Sequence, residues 1–258
     1  MFFILTSALG IYLLTSNIKK HHKFSNKMKS TLTLFFMFCC LWTSAQEITG
    51  NIKNHGKSEM ELVLMLFGMD YPISIGTVDK KGQFTANLEN VTLNNIPEEN
   101  LSMSMGPLYW NFHFNCNNSD VFGDNAEKLA ARQDFVRLAK GGDWAGTVFL
   151  VSDEKLKIFL EDPGYNNAVK GSFYEVMYSE EDISLNMTCN SSVYASDNEE
   201  VETEYNFDIQ LKQGFNWVEY AIEEVYETDP NIRASFPSKV TISNMKDSSK
   251  MQWVGIYY

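Results

Sequence analysis

From Glu47 onward the chain is written in short segments of alternating apolar and polar residues, each closed by a turn signal, and this pattern restricts it to a mainly β fold. Trp110, Phe112, Phe114 and Cys116 share one phase against Asn111, His113 and Asn115. Ile183, Leu185, Met187 and Cys189 share another against Ser184, Asn186 and Thr188. A two-residue period puts one set of each run on a buried sheet face.

The strand-like segments are Glu47–Lys53, Glu61–Phe67, Ile73–Val78, Gln83–Leu88, Leu101–Met105 and Trp110–Cys116. Later come Gly146–Val151, Lys155–Leu160, Ser172–Tyr178, Ile183–Cys189, Glu204–Leu211, Phe215–Ile222, Lys239–Ser243 and Gln252–Tyr257. Asp79-Lys80-Lys81-Gly82, Asp162-Pro163-Gly164, Gln213-Gly214 and Asp229-Pro230-Asn231 supply turns. Asp124–Lys140 reads as the one helix. Asp124 or Asn125 caps it, Leu129, Ala130, Gln133, Val136 and Lys140 fall near helical spacing, and Gly141-Gly142 stops it. The expected architecture is an antiparallel β-sandwich or jelly roll, as two packed β units over 47–120 and 143–258 joined by a helix at 121–142.

Residues 28–46, MKSTLTLFFMFCCLWTSAQ, have the layout of a secretory signal peptide. Lys29 is the basic n-region, Thr31–Trp42 the apolar stretch, and Thr43-Ser44-Ala45 the small residues before cleavage near Ala45/Gln46. Residues 1–27 are an over-extended start, with Met28 the true one, or a membrane-associated leader. Phe2–Leu14 is short for a bilayer span. Cys39 and Cys40 lack the small preceding residue of a lipidation site. The expected location is secreted, periplasmic or the outer cell envelope, with no transmembrane span in the mature chain.

Removing residues 1–46 takes away five lysines and no acid, so 21 basic and 33 acidic residues become 16 and 33, a formal charge of −17. Such a surface repels nucleic acid and anionic lipid. Cys116 and Cys189 are the cysteines left after cleavage. They form one disulfide of an oxidising compartment or two buried thiols. Four N-x-S/T sites, at Asn90, Asn117, Asn186 and Asn190, are read as chance beside a bacterial-type signal.

Ile48–Asn54, Glu61–Phe67 and Ile75–Leu88 together resemble a transthyretin-like or carboxypeptidase-regulatory-like β-sandwich. Asp79, Gly82 and Phe84 match its hairpin. The resemblance covers about a third of the mature chain. It implies a non-catalytic module of a Gram-negative envelope protein and brings no catalytic residue. Phe207–Val218 looks like a hairpin of secreted β-sandwich proteins from the same setting.

No G-x-S-x-G elbow, paired-histidine zinc motif, Walker A or dinucleotide fingerprint occurs after Gln46. His55 reads as a turn residue and His113 as an exposed strand residue. Glu161/Asp162, Glu180/Glu181/Asp182 and Glu223/Glu224 are candidate carboxylate pairs for glycoside hydrolysis, without a feature that selects one. Asp197, Glu199 and Glu200, with Asn198, form the densest oxygen cluster and are the candidate calcium ligands; no other cofactor is implied. Trp217, beyond the Gln213-Gly214 turn, is the candidate ligand-surface aromatic. The leading functional expectation is a non-catalytic binding or structural protein of the bacterial cell envelope, its partner an envelope protein or glycan. The alternative is a carbohydrate-binding or carbohydrate-active protein using exposed aromatics or paired carboxylates.

Overall fold

The computed structural model describes residues 47–56, 58–89, 91–196 and 199–258. The leader and signal expected over 1–46 lie outside those residues, as do Asn90 and the Asp197 and Asn198 of the candidate calcium cluster.

Four strands open the fold: β1 (Glu47–Lys53), β2 (Met60–Leu64), β3 (Ile73–Val78) and β4 (Gln83–Asn87). Short helix α1 (Glu98–Ser104) follows, then β5 (Gly106–Pro107), β6 (Leu129–Gln133), β7 (Val136–Lys140) and β8 (Asp143–Val151). After helix α2 (Lys155–Glu161) come β9 (Gly171–Ser179), β10 (Ile183–Ser196), β11 (Glu199–Leu211), β12 (Gly214–Tyr226), β13 (Phe236–Asn244) and β14 (Gln252–Tyr257). The chain is mainly β, as its alternation requires.

The β3–β4 hairpin forms where the sequence places it. The Asp79 carboxylate accepts from the Lys81 and Gln83 amides, and Gly82 takes φ +83°, a value glycine adopts without cost. Gly76 packs so close to β4 that a Cβ there would lie 1.9 Å from the Thr85 carbonyl oxygen.

Strands β1, β4, β3, β2, β7, β8 and β14 pair in that order, and β14 returns to β1, closing a barrel. The closing pair is parallel, Ile52 opposite Trp253 and Lys53 opposite Val254. The ring takes β1–β4 from the first expected unit, 47–120, and β8 and β14 from the second, 143–258, so those stretches share one barrel. From it an outer sheet runs β9, β12, β13, β11, β10, with β6 beside β9. It is antiparallel except where β11 meets β13.

Two apolar cores result. One contains barrel residues such as Ile52, Leu62, Phe84 and Leu138, with Tyr174, Val176 and Trp217 from β9 and β12. The other holds Phe173, Met177, Phe207 and Tyr220, with residues 108–126 and α2 packed against it. Successive residues of β9 serve opposite cores, so a polar side chain in either phase is buried.

The helix expected over 124–140 is absent. Residues 119–125 are 3₁₀ turns broken at Gly123, and β6 and β7 follow. The spacing of Ala130, Gln133 and Val136 suits a helix face, but pairing of β6 with β9 and of β7 with β2 and β8 decides otherwise. Gly141 and Gly142, read as a helix stop, are the positive-φ turn from β7 to β8.

Conversely, two expected strands are helical. Residues 98–104 are α1, with Glu98 and Glu99 near the positive end of its dipole. Residues 155–161 are α2, which buries Leu156, Phe159 and Leu160 at i, i+3, i+4 spacing. Residues 110–116 form no strand: a 3₁₀ turn at Leu108–Trp110 leads into bends that still bury Phe112. Among the described residues no helix is long and apolar enough to cross a membrane.

Candidate functional site

A polar cluster lies inside the outer-sheet core. Glu175 sits on β9 in phase with Phe173 and Met177, so its side chain enters that core at 2% exposure. Its Oε1 meets His113 Nδ1 at 2.8 Å. Arg132 Nε stands 3.6 Å from Oε2 and 3.0 Å from Asp134 Oδ1. Among the described residues no donor reaches hydrogen-bond geometry at Oε2. The His113 backbone N–H donates to the Tyr220 hydroxyl at 3.2 Å, and Tyr220 stacks on Phe173.

Electrostatics follow from this packing. Burial, reinforced by Glu175, raises the Tyr220 pKa well above 10, so the phenol stays protonated. Burial opposes the Arg132 charge, but Glu175 and Asp134 outweigh it and hold its pKa above the ordinary value.

A histidine fixed at Nδ1 by a carboxylate is the geometry of a general base. Here the imidazole packs against Phe114, Phe173 and Tyr220, and no Ser, Thr or Cys side chain among the described residues is hydrogen-bonded to it. The arrangement sets one buried carboxyl group between an imidazole and a guanidinium.

A second constellation lies on the outside of the barrel. Trp144 is 43% exposed and Tyr258 75%, with ring centroids 5.2 Å apart, edge to face. The Arg137 guanidinium carbon lies 5.3 Å from the Trp144 ring centre and 5.6 Å from that of Phe135. Arg137 donates from Nη1 to Thr147 Oγ1 at 3.1 Å, and Trp144 Nε1 donates to the Gly146 carbonyl at 2.7 Å. The Tyr258 amide donates to the Ala145 carbonyl at 3.1 Å.

Strand register builds this surface. Arg137 is opposite Thr147 in the β7–β8 pair, and a shift between Leu138 and Ala139 brings Trp144 opposite Ala139. That irregularity re-aims the indole toward the guanidinium. Arg137 makes no ion pair with a carboxylate among the described residues. Burial lowers its pKa, against the raising effects of Asp134 and Tyr258. The outcome is two accessible rings beside a guanidinium that stacking holds in place.

The residues singled out in the sequence fare differently. Trp217 lines no surface: it is 5% exposed, packs against Trp253, and its Nε1 has no hydrogen-bond partner among the described residues. Its phase on β12 turns it into the barrel-side core. Cys116 and Cys189 are bonded, with Cα atoms 5.9 Å apart, which resolves the two alternatives. Glu199 and Glu200 are exposed on β11, and Glu199 accepts from the Tyr226 hydroxyl. Among the described residues no three His, Cys, Asp or Glu side chains gather to hold a metal.

Glu161, Asp162, Glu180, Glu181, Asp182, Glu223 and Glu224 are all exposed; Glu161 pairs with Lys157, Glu181 with Lys128 and Asp182 with Lys212. His55 uses both ring nitrogens to tie its turn to the Tyr257 hydroxyl and the Ser58 carbonyl. His113 is part-buried against Glu175 rather than free on a strand. Glu175 escaped notice, yet it left a signal: it is the one charge in the apolar run Phe173–Tyr178.

No protein-family model, no curated protein and no solved structure matches the chain.

Proposed function

We propose that this chain is a non-catalytic binding protein of the bacterial cell envelope or exterior that contacts glycan through Trp144, Arg137 and Tyr258. The carrying observation is the pair of exposed rings beside the ordered Arg137 guanidinium. A flat ring face covers the apolar C–H face of a sugar, while guanidinium and hydroxyl groups direct hydrogen bonds to its hydroxyls. Trp, Tyr and Arg are also the residues on which binding energy concentrates.

The signal layout of residues 28–46 favours an exported setting, and the resemblance of Ile48–Leu88 to transthyretin-like modules favours a non-catalytic one. The acidic surface argues against nucleic acid as the partner.

The test is a titration of the purified protein with envelope and extracellular polysaccharides, read by tryptophan emission and calorimetry. The expected result is saturable binding that weakens about tenfold or more in Trp144→Ala. Binding equal in wild type and Trp144→Ala, or no binding to any polysaccharide, overturns the reading.

A further inference from the structure

β10 ends the outer sheet: β11 pairs with it from Ile183 to Ser196, and among the described residues no strand lies on its other side. The outward backbone groups of β10 can be assigned. Gln210 donates its N–H to Asn244 Oδ1 at 2.7 Å and accepts at its carbonyl from Asn244 Nδ2 at 2.8 Å, both toward β13. Gln210 therefore turns its backbone away from β10, and its register partner Ser184 turns away from β11. The Ser184 carbonyl indeed faces outward, accepting from Asn125 Nδ2 at 3.3 Å.

Alternation carries outward N–H and C=O groups to Asn186, Thr188, Asn190 and Ser192. No hydrogen bond reaches these backbone groups among the described residues. Sheet edges are ordinarily blunted by lysine, proline or a bulge. β10, ISLNMTCNSSVYAS, has no charged residue and no proline, and its one irregularity comes late, between Tyr194 and Ser196. Its neighbour β11 carries Glu199, Glu200, Glu202, Glu204 and Asp208. In a chain with 33 acidic residues, the outermost strand is a neutral one.

We infer that β10 is a homodimer edge, at which two copies of the chain pair antiparallel about a two-fold axis. Two-fold symmetry sets a strand against its own reverse. The axis lies in the free row between Ser184, which Asn125 occupies, and Tyr194, whose carbonyl accepts from Arg233: that row is Asn186, Thr188, Asn190 and Ser192. With the axis at Thr188, that residue faces Thr188 of the second copy, and Asn186 faces its Asn190. Each such pair exchanges both N–H···O bonds, and the side chains that meet are uncharged hydrogen-bonding groups.

Electrostatics favour a second copy as the occupant. The two β11 strands stand three strand spacings apart, about 14 Å, beyond the ~8 Å Debye length at physiological salt. Two acidic chains can thus meet along neutral strands while their glutamate rows stay screened. The Cys116–Cys189 bond ties the residue beside Thr188 to the covering loop and holds the edge ready.

The test is sedimentation equilibrium of the purified protein up to about 100 μM, a range that covers micromolar association. The comparison is with Thr188→Pro and with the double variant Asn186→Lys, Asn190→Lys. The proline removes an outward N–H and leaves the β10–β11 ladder intact; the lysines oppose like charges across the two-fold. Circular dichroism checks that each variant keeps the fold. The expected result is a wild-type dimer whose dissociation constant rises at least about tenfold in both folded variants. A wild type that stays monomeric throughout the range, or lysine variants that dimerise as tightly as wild type, overturns the inference.

Discussion

The Glu175 carboxylate and the His113 imidazole meet at 2.8 Å within an aromatic core, and Arg132 stands 3.6 Å from the second carboxylate oxygen. One buried acid thus binds the covering loop, through His113, to β6 and β9. Removing one partner of a buried ion pair leaves the other without its counter-charge and costs about 3–5 kcal/mol. Arg132 retains Asp134 at 3.0 Å, which places Glu175→Ala at the lower end, about 3 kcal/mol. Chemical denaturation measures this; a loss below about 1 kcal/mol, the range of exposed pairs, contradicts the buried role.

The Cys116–Cys189 bond spans a sequence separation of 73 residues. Cross-linking a loop of that length restricts the unfolded chain by about 4 kcal/mol. Replacing both cysteines with alanine should lower the unfolding free energy by about that amount. The loop at residues 111–125 should then exchange its amides faster, because it loses its tie to β10. Denaturation and hydrogen exchange check the two consequences separately; unchanged exchange in this loop would show that packing of Phe112 and Phe122 alone holds it.

Alkaline conditions should unfold the protein. Burial, assisted by Glu219, pushes the Tyr174 pKa up to about 12, and that of Tyr220 lies well above 10. Folded-state values above the unfolded one mean that the native structure prefers the neutral phenols. Their contribution is complete below pH ~10 and is lost as pH rises from there through the folded values. Tyrosinate absorbance followed with far-UV circular dichroism should show late-ionising phenols appearing together with loss of β structure. Ionisation of every tyrosine near pH 10 with the fold intact would contradict the burial argument.

Most strands were legible because alternation and turn residues act locally: Asp79 and Gly82 build their hairpin from within it. The helices were not. Ala130, Gln133 and Val136 fit a helical stripe and a pair of strands equally, and the choice rests on remote partners in β2, β8 and β9. Leu156, Phe159 and Leu160 carried helical spacing within a segment short enough to read as a strand. Barrel closure was beyond reach, since Ile52 pairs with Trp253 across nearly the whole span of described residues. The Trp144–Arg137 contact depends on a register shift that no local pattern announces. Alternation correctly buried Cys189, whereas Cys116 reaches it from an irregular loop.

Trp217 and Trp144 offer a matched pair of substitutions that separates core from surface. Trp217 is buried against Trp253 and its indole N–H has no acceptor among the described residues. Phenylalanine there removes an unsatisfied donor while keeping most of the apolar volume, so the two effects offset and Trp217→Phe should cost less than about 2 kcal/mol. Trp217→Ala should cost about 3–5 kcal/mol. Glycan affinity should be unchanged in Trp217→Phe and fall in Trp144→Ala, while Trp144→Ala, on an exposed hairpin, should leave stability within about 1 kcal/mol of wild type. Denaturation and glycan titration of the three variants, run in parallel, measure both quantities. A Trp217→Phe protein that keeps its stability but loses glycan binding would move the ligand surface from the barrel's outer face to the seam beneath β12.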